Sequence, residues 1–127
     1  MSGRVVHFEI PYDDGERARL FYNEVFGWEM TELPEMSYTL VTSGPSGAEG
    51  PDEPGFINGG MMPRREPFTS PNLVLDVESI EVALQAVNDA GGTIVSEREQ
   101  VGEMGFAAYF KDTEGNLVGL WESASQG

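Results

Sequence analysis

RVVHFEIP, residues 4–11, holds the chain's one histidine and sets the pattern by which the rest is read. Val5, Val6, Phe8 and Ile10 favour extended backbone, and Pro11 lacks the amide proton a ladder needs, so the stretch predicts a strand that stops there. Alternation puts Val5, His7 and Glu9 on one face and Val6, Phe8 and Ile10 on the other. The second face is apolar and should press on a helix. The first carries an imidazole and a carboxylate two residues apart, an unusual pair to point inward unless something uses them.

Downstream, residues 13–26 (DDGERARLFYNEVF) predict an amphipathic helix capped by Asp13 or Asp14. Its apolar stripe is Ala18, Phe21, Tyr22, Val25 and Phe26, and Gly27 ends it. Residues 28–33 and 37–42 read as two strands about a turn at Pro34-Glu35. Residues 43–55 turn to Gly, Pro, Ser and acid, a loop long enough to suspect a mobile or ligand-covering role. A strand returns over residues 56–62, followed by a Pro- and Arg-containing connector over 63–70.

Then the pattern begins again. Residues 72–77 (NLVLDV) form a strand, Ser79 caps a helix over 80–90 with Ile80, Ala83, Leu84 and Val87 as its stripe, and Gly91-Gly92 ends it. Strands over 93–101, 106–111 and 116–122 follow. Laying one half on the other puts His7 over Asn72, Asp14 over Ser79 and Gly27 over Gly92 at one constant offset. Each half is strand, helix, three strands. The predicted architecture is therefore α+β: two βαβββ modules, about 4–62 and 71–122, sharing a concave sheet with helices outside, within a single domain spanning 1–127.

Composition narrows the function. There is no cysteine, which excludes a disulfide framework, a thiolate nucleophile and a zinc–thiolate site. No apolar run reaches the roughly 20 residues of a membrane helix and no signal-peptide core is evident, so a soluble cytoplasmic protein is expected. Twenty-two acidic residues stand against seven basic ones, for a net charge of −15, and such a surface repels nucleic-acid backbones and anionic lipids. An acid-rich surface with Lys111 as its single lysine suits a halophilic cytoplasm; an ordinary acidic protein is the plainer alternative. Under the first, the melting temperature climbs steeply from dilute buffer to molar potassium chloride, because the Debye length is about 30 Å at 0.01 M and about 3 Å at 1 M. A flat profile removes the high-salt reading.

With these residues in place the chain resembles the vicinal oxygen chelate superfamily, which includes glyoxalase I, extradiol dioxygenases and bleomycin- and fosfomycin-resistance proteins. The resemblance rests on VVHFEIP, FYNEVFGW at 21–28 and GFINGGMMPR at 55–64. In the second half it rests on NLVLDVESIEVAL at 72–84, AGG at 90–92 and FKDTEGNLVGLWE at 110–122. It implies metal ligands from the first and last strand of each module. His7 matches; the other positions fall on Asn72, Gly119 and near Gly59. One imidazole cannot hold zinc or non-haem iron, which need about three protein ligands. Asn72 through its carbonyl, or Glu9, are weaker substitutes. No metal is expected, although a divalent ion through His7 stays open, and glycine at both last-strand positions reads as a widened cleft.

A ligand is expected in the groove between the modules, touched by His7, Glu9, Gly59, Met61, Asn72, Gly119 and Trp121, with Tyr38 and Tyr109 as aromatic walls. Trp121 can stack on a flat ligand or simply pack, and Met61 and Met62 can line an adaptable pocket or fill a core. Arg64 and Arg65 can receive an anion or balance neighbouring acids. Two functions remain. One is a metal-free small-molecule-binding protein in the manner of the resistance members; a homodimer is compatible with it. The other is a lyase, isomerase or dioxygenase using His7 and Glu9 as acid and base or with non-standard metal ligands.

Overall fold

The structure, a computed structural model, describes residues 3–124. Two compact units emerge: His7–Pro71, and residues 72–124 together with residues 3–6.

In the first unit, β1 (Arg4–Tyr12), of which residues 7–12 belong to this unit, leads to α1 (Gly15–Phe26), β2 (Glu29–Leu33), a single 3-10 turn, and β3 (Tyr38–Thr42). A two-residue-per-strand hairpin, β4 (Ser46–Gly47) with β5 (Gly50–Pro51), precedes β6 (Asn58–Pro63). The strands lie in the order β2-β3-β6-β1, with β1 parallel to β6 and the other pairs antiparallel. In the second unit, β7 (Asn72–Asp76), α2 (Ile80–Asp89), β8 (Thr93–Val101), β9 (Gly105–Lys111) and β10 (Leu117–Ser123) take the order β7-β10-β9-β8. There β7 runs parallel to β10. Both units therefore pair their first strand with their fourth, then third, then second. The α+β class and the βαβββ repeat read from the sequence are the observed topology.

The caps explain the helix ends. The Asp14 carboxylate accepts the Arg17 amide at 3.0 Å, the Ser79 hydroxyl accepts the Val82 amide at 3.2 Å, and Gly27 closes α1 at φ 73°, a conformation that suits glycine. In the second unit the predicted stripe of α2 packs as expected. Ile80, Ala83 and Leu84 join Val77, Ala108 and Leu120 in a buried cluster lined by Leu75, Ile94, Phe106 and Phe110. Glu122 ties helix to sheet: its carboxylate accepts the Ile80 amide at 2.9 Å and pairs with Arg98, whose guanidinium lies 3.6 Å over the Phe106 ring.

The first unit departs from the expected pattern in its helix. Only Gly15, Ala18, Arg19 and Tyr22 of α1 are partly covered, while Leu20, Phe21, Val25 and Phe26 are exposed. The covered residues lie at i, i+3, i+4 and i+7, a narrower stripe rotated from the apolar one. Its anchor is aromatic. Tyr22 stacks on Trp28 with ring centres 4.7 Å apart, and Trp28 packs against Phe8 of β1 at 5.4 Å. The loop over 43–55 is a tied hairpin: Asn58 accepts the Ser43 amide and donates to the Ser46 hydroxyl, each at 2.9 Å. No helix of the described residues is long and apolar enough to cross a membrane.

Candidate functional site

Register decides which side chains share a face. β1 pairs in parallel with β6 so that His7 faces Asn58, Phe8 faces Gly59, Glu9 faces Gly60 and Ile10 faces Met61. Gly59 and Met61 therefore lie on the side of Phe8 and Ile10, opposite His7 and Glu9, and Met61 is fully buried. The expected grouping of Gly59 and Met61 with His7 is not what the pairing produces. Asn58, Gly60 and Met62 share the histidine face instead.

Across this face runs a hydrogen-bonded chain. The Tyr38 hydroxyl donates to Glu9 Oε2 at 2.9 Å and lies 2.8 Å from His7 Nε2. Tyr38 belongs to β3, which is not adjacent to β1; β6 lies between them. The ring reaches across because the intervening position is Gly60, where a Cβ would fall on the Tyr38 hydroxyl and ring. At roughly 4.8 Å between neighbouring strands, one tyrosine is just long enough to span β6 when nothing stands on it. Tyr38, expected only as a wall, is the bridge of the site. The glycine pair at 59–60, beside a strand with a phase-matched tyrosine, was the signal for it.

Glu9 is buried with only 5% of its surface exposed, so its carboxylate requires such partners. A hydroxyl has one proton, and Tyr38 gives it to Glu9; the His7 Nε2 must therefore carry the proton that meets the Tyr38 oxygen. Burial holds the imidazole below its usual pKa, opposed by the smaller pull of Glu9. Such a group adds stability in full above its unfolded pKa of about 6.5 and loses it as pH falls through the lower folded value. A His7→Gln variant should show a flatter melting profile than the parent between about pH 7 and about pH 5. Parallel profiles for the two would show that His7 titrates as it does in the unfolded chain.

The second unit repeats the arrangement. Gly119 of β10 pairs with Tyr109 of β9 and Val74 of β7, and a Cβ on Gly119 would lie 2.9 Å from the Tyr109 ring and 3.1 Å from Val74. Asn72, Gly119 and Trp121 share the face turned away from the α2 cluster. Trp121 leans over Gly105, where a Cβ would come within 2.7 Å of its indole. Asn72 is buried, and both polar atoms of its amide lack a hydrogen-bond partner. The expected widening at the two last-strand glycines is corrected: the Phe8 ring fills the space at Gly59, and the Tyr109 ring fills that at Gly119. Arg64 is occupied by Asp13 at 2.9 Å and the Thr69 carbonyl at 2.6 Å, and Arg65 lies over Phe68.

Both units repeat one βαβββ topology, which places the chain in the α+β class. A family model described as bleomycin resistance protein-like N-terminal matches residues 4–44. A glyoxylase-like domain-containing protein of Didymella fabae is 28% identical over 124 residues, covering 91% of each chain. Among solved structures, a hypothetical protein of Bacillus halodurans matches at TM-score 0.66 and 17% identity over 97% of this chain and 96% of its own. A Streptomyces coelicolor methylmalonyl-CoA epimerase variant in complex with 2-nitronate-propionyl-CoA matches at TM-score 0.66 and 16% identity over 98% and 99%. A Vibrio splendidus glyoxalase/bleomycin resistance protein/dioxygenase superfamily member matches at TM-score 0.63 and 21% identity over 96% and 99%. The chain thus shares the fold of the glyoxalase/bleomycin resistance protein/dioxygenase superfamily and matches its bleomycin resistance-like N-terminal model over residues 4–44.

Members of the superfamily often use a divalent metal. The residues here do not fit one. His7 Nε2 is engaged by Tyr38, Gly60 and Gly119 lie under tyrosines, and the described residues hold no group of three His, Cys, Asp or Glu side chains placed to bind an ion.

Proposed function

We propose that residues 1–127 act as one vicinal oxygen chelate domain that binds a small molecule without a divalent ion. One observation carries the reading: the Tyr38 hydroxyl sits between His7 and Glu9, the two groups of the face with donor atoms suited to a metal. An ion at His7 Nε2 would have to displace the tyrosine and break its bond to a buried carboxylate, a hydrogen bond to a charged group worth about 1.5–3 kcal/mol. The matching burial of Gly119 beneath Tyr109 supports the same view. His7, Glu9 and Tyr38 form the polar wall of the first unit. Trp121, partly exposed, marks a ligand-contacting face on the second; Asn72 lies on the same face, but its amide is enclosed.

The test is direct. Dialysed protein is titrated separately with zinc, nickel, iron(II) and manganese, with bound metal per chain and melting temperature recorded. No stoichiometric binding and no stabilisation are expected, since only a ligand of the folded state raises stability by mass action. One tightly held ion per chain, lost on His7→Ala, would overturn the proposal in favour of a metal-dependent lyase, isomerase or dioxygenase.

A further inference from the structure

The chain of hydrogen bonds from Glu9 through Tyr38 to His7 has a direction, and the direction selects a ligand. Glu9 accepts from Tyr38, so Tyr38 must accept from His7, and the imidazole proton is committed to Nε2. Nδ1 is left with its lone pair. No hydrogen bond to it is found among the described residues. Nor is it sealed: the two Asn72 amide atoms are the fully enclosed, unpartnered side-chain polar atoms of the described residues, and His7 as a residue is half-buried.

We infer that His7 Nδ1 is the hydrogen-bond acceptor at which this site takes the N–H or O–H of a neutral or cationic small molecule, and that anionic ligands are disfavoured. The inference rests on the metal-free reading, since an ion on the imidazole would remove the acceptor.

The exclusion of anions comes from the charges that face the site. β1 contributes Glu9, buried behind the tyrosine; β3 contributes the Tyr38 hydroxyl; β6 contributes the uncharged Asn58 and Gly60. Arg64, past the end of β6, is held by Asp13 and the Thr69 carbonyl. A neutral imidazole backed by a buried carboxylate attracts a donor proton and repels a carboxylate or phosphate. The surrounding surface, at a net charge of −15, acts in the same sense. Burial keeps the imidazole neutral near pH 7, so the lone pair persists. The expected ligand therefore differs in kind from the acyl-CoA bound by the epimerase of the same fold.

The single histidine makes the test clean. Long-range proton–nitrogen correlation on the uniformly labelled protein at pH 7.5 reports which ring nitrogen carries the proton. Nε2–H with a pyridine-type Nδ1 is expected, and Tyr38→Phe should weaken that preference while the rest of the spectrum stays folded. Isobutyramide and isobutyrate, alike in shape, are then titrated while the His7 signals are followed. The amide should shift Nδ1, and isobutyrate should bind at least roughly tenfold more weakly, a modest discrimination for like charges brought together. A proton found on Nδ1, equal response to both probes, or none to the amide up to its solubility limit would overturn the inference, with the metal-free reading intact. Displacement of the Nε2 resonance by stoichiometric zinc would overturn that reading first, and the inference with it.

Discussion

Gly60→Ala should destabilise the protein by about 2–4 kcal/mol, far more than a glycine-to-alanine change in a strand ordinarily costs. The added methyl lands on the Tyr38 hydroxyl, and the ring must swing off the face. Overpacking costs about 1–3 kcal/mol by itself, and loss of the charge-assisted bond to buried Glu9 adds about 1.5–3 kcal/mol, the two overlapping in part. Gly60 has no left-handed backbone to defend, so space alone is at issue. Chemical denaturation of Gly60→Ala, Tyr38→Ala and the double variant would measure the coupling. Once the tyrosine is removed, the alanine should cost little. A Gly60→Ala protein as stable as the parent would place Tyr38 elsewhere.

The second large effect has the opposite sign. Asn72→Leu should stabilise the folded state by about 1–3 kcal/mol, because a sealed amide with neither donor nor acceptor satisfied costs that order of free energy. Leucine keeps nearly the same shape and needs no partner. Asn72→Ala, which removes the amide but leaves a void, should gain less. A melting series of parent, Ala and Leu proteins settles the order. If Asn72→Leu melted below Asn72→Ala, the amide would have structural partners after all.

The fold was legible because several local signals agreed. Asp14, Ser79 and Gly27 mark helix ends by their own chemistry, and the constant offset between the halves reproduces itself as identical strand order in both units. That His7 and Glu9 share a face was likewise legible, since alternation within one strand needs no partner. Placement across strands was not. A one-residue slip exchanges the two faces, and the Gly59-Gly60 pair carries no side chain to say which glycine looks toward the histidine. Tyr38 was harder still, because its contact spans two ladders and depends on a residue that is absent as a side chain. The stripe of α1 misled for a related reason. Periodicity gives an apolar face, but Tyr22 on Trp28, rather than Phe21 and Val25 on the sheet, fixes how the helix sits.

The uneven burial of the two helices gives the halves different tempers. α2 packs three buried side chains into its sheet, whereas α1 buries none and rests chiefly on one stacked pair of rings. Opening of a native chain begins where little apolar surface is lost by opening. The half that carries the histidine is thus the half expected to exchange its helix amides faster. Hydrogen exchange resolved along the chain should therefore show earlier opening in α1 than in α2.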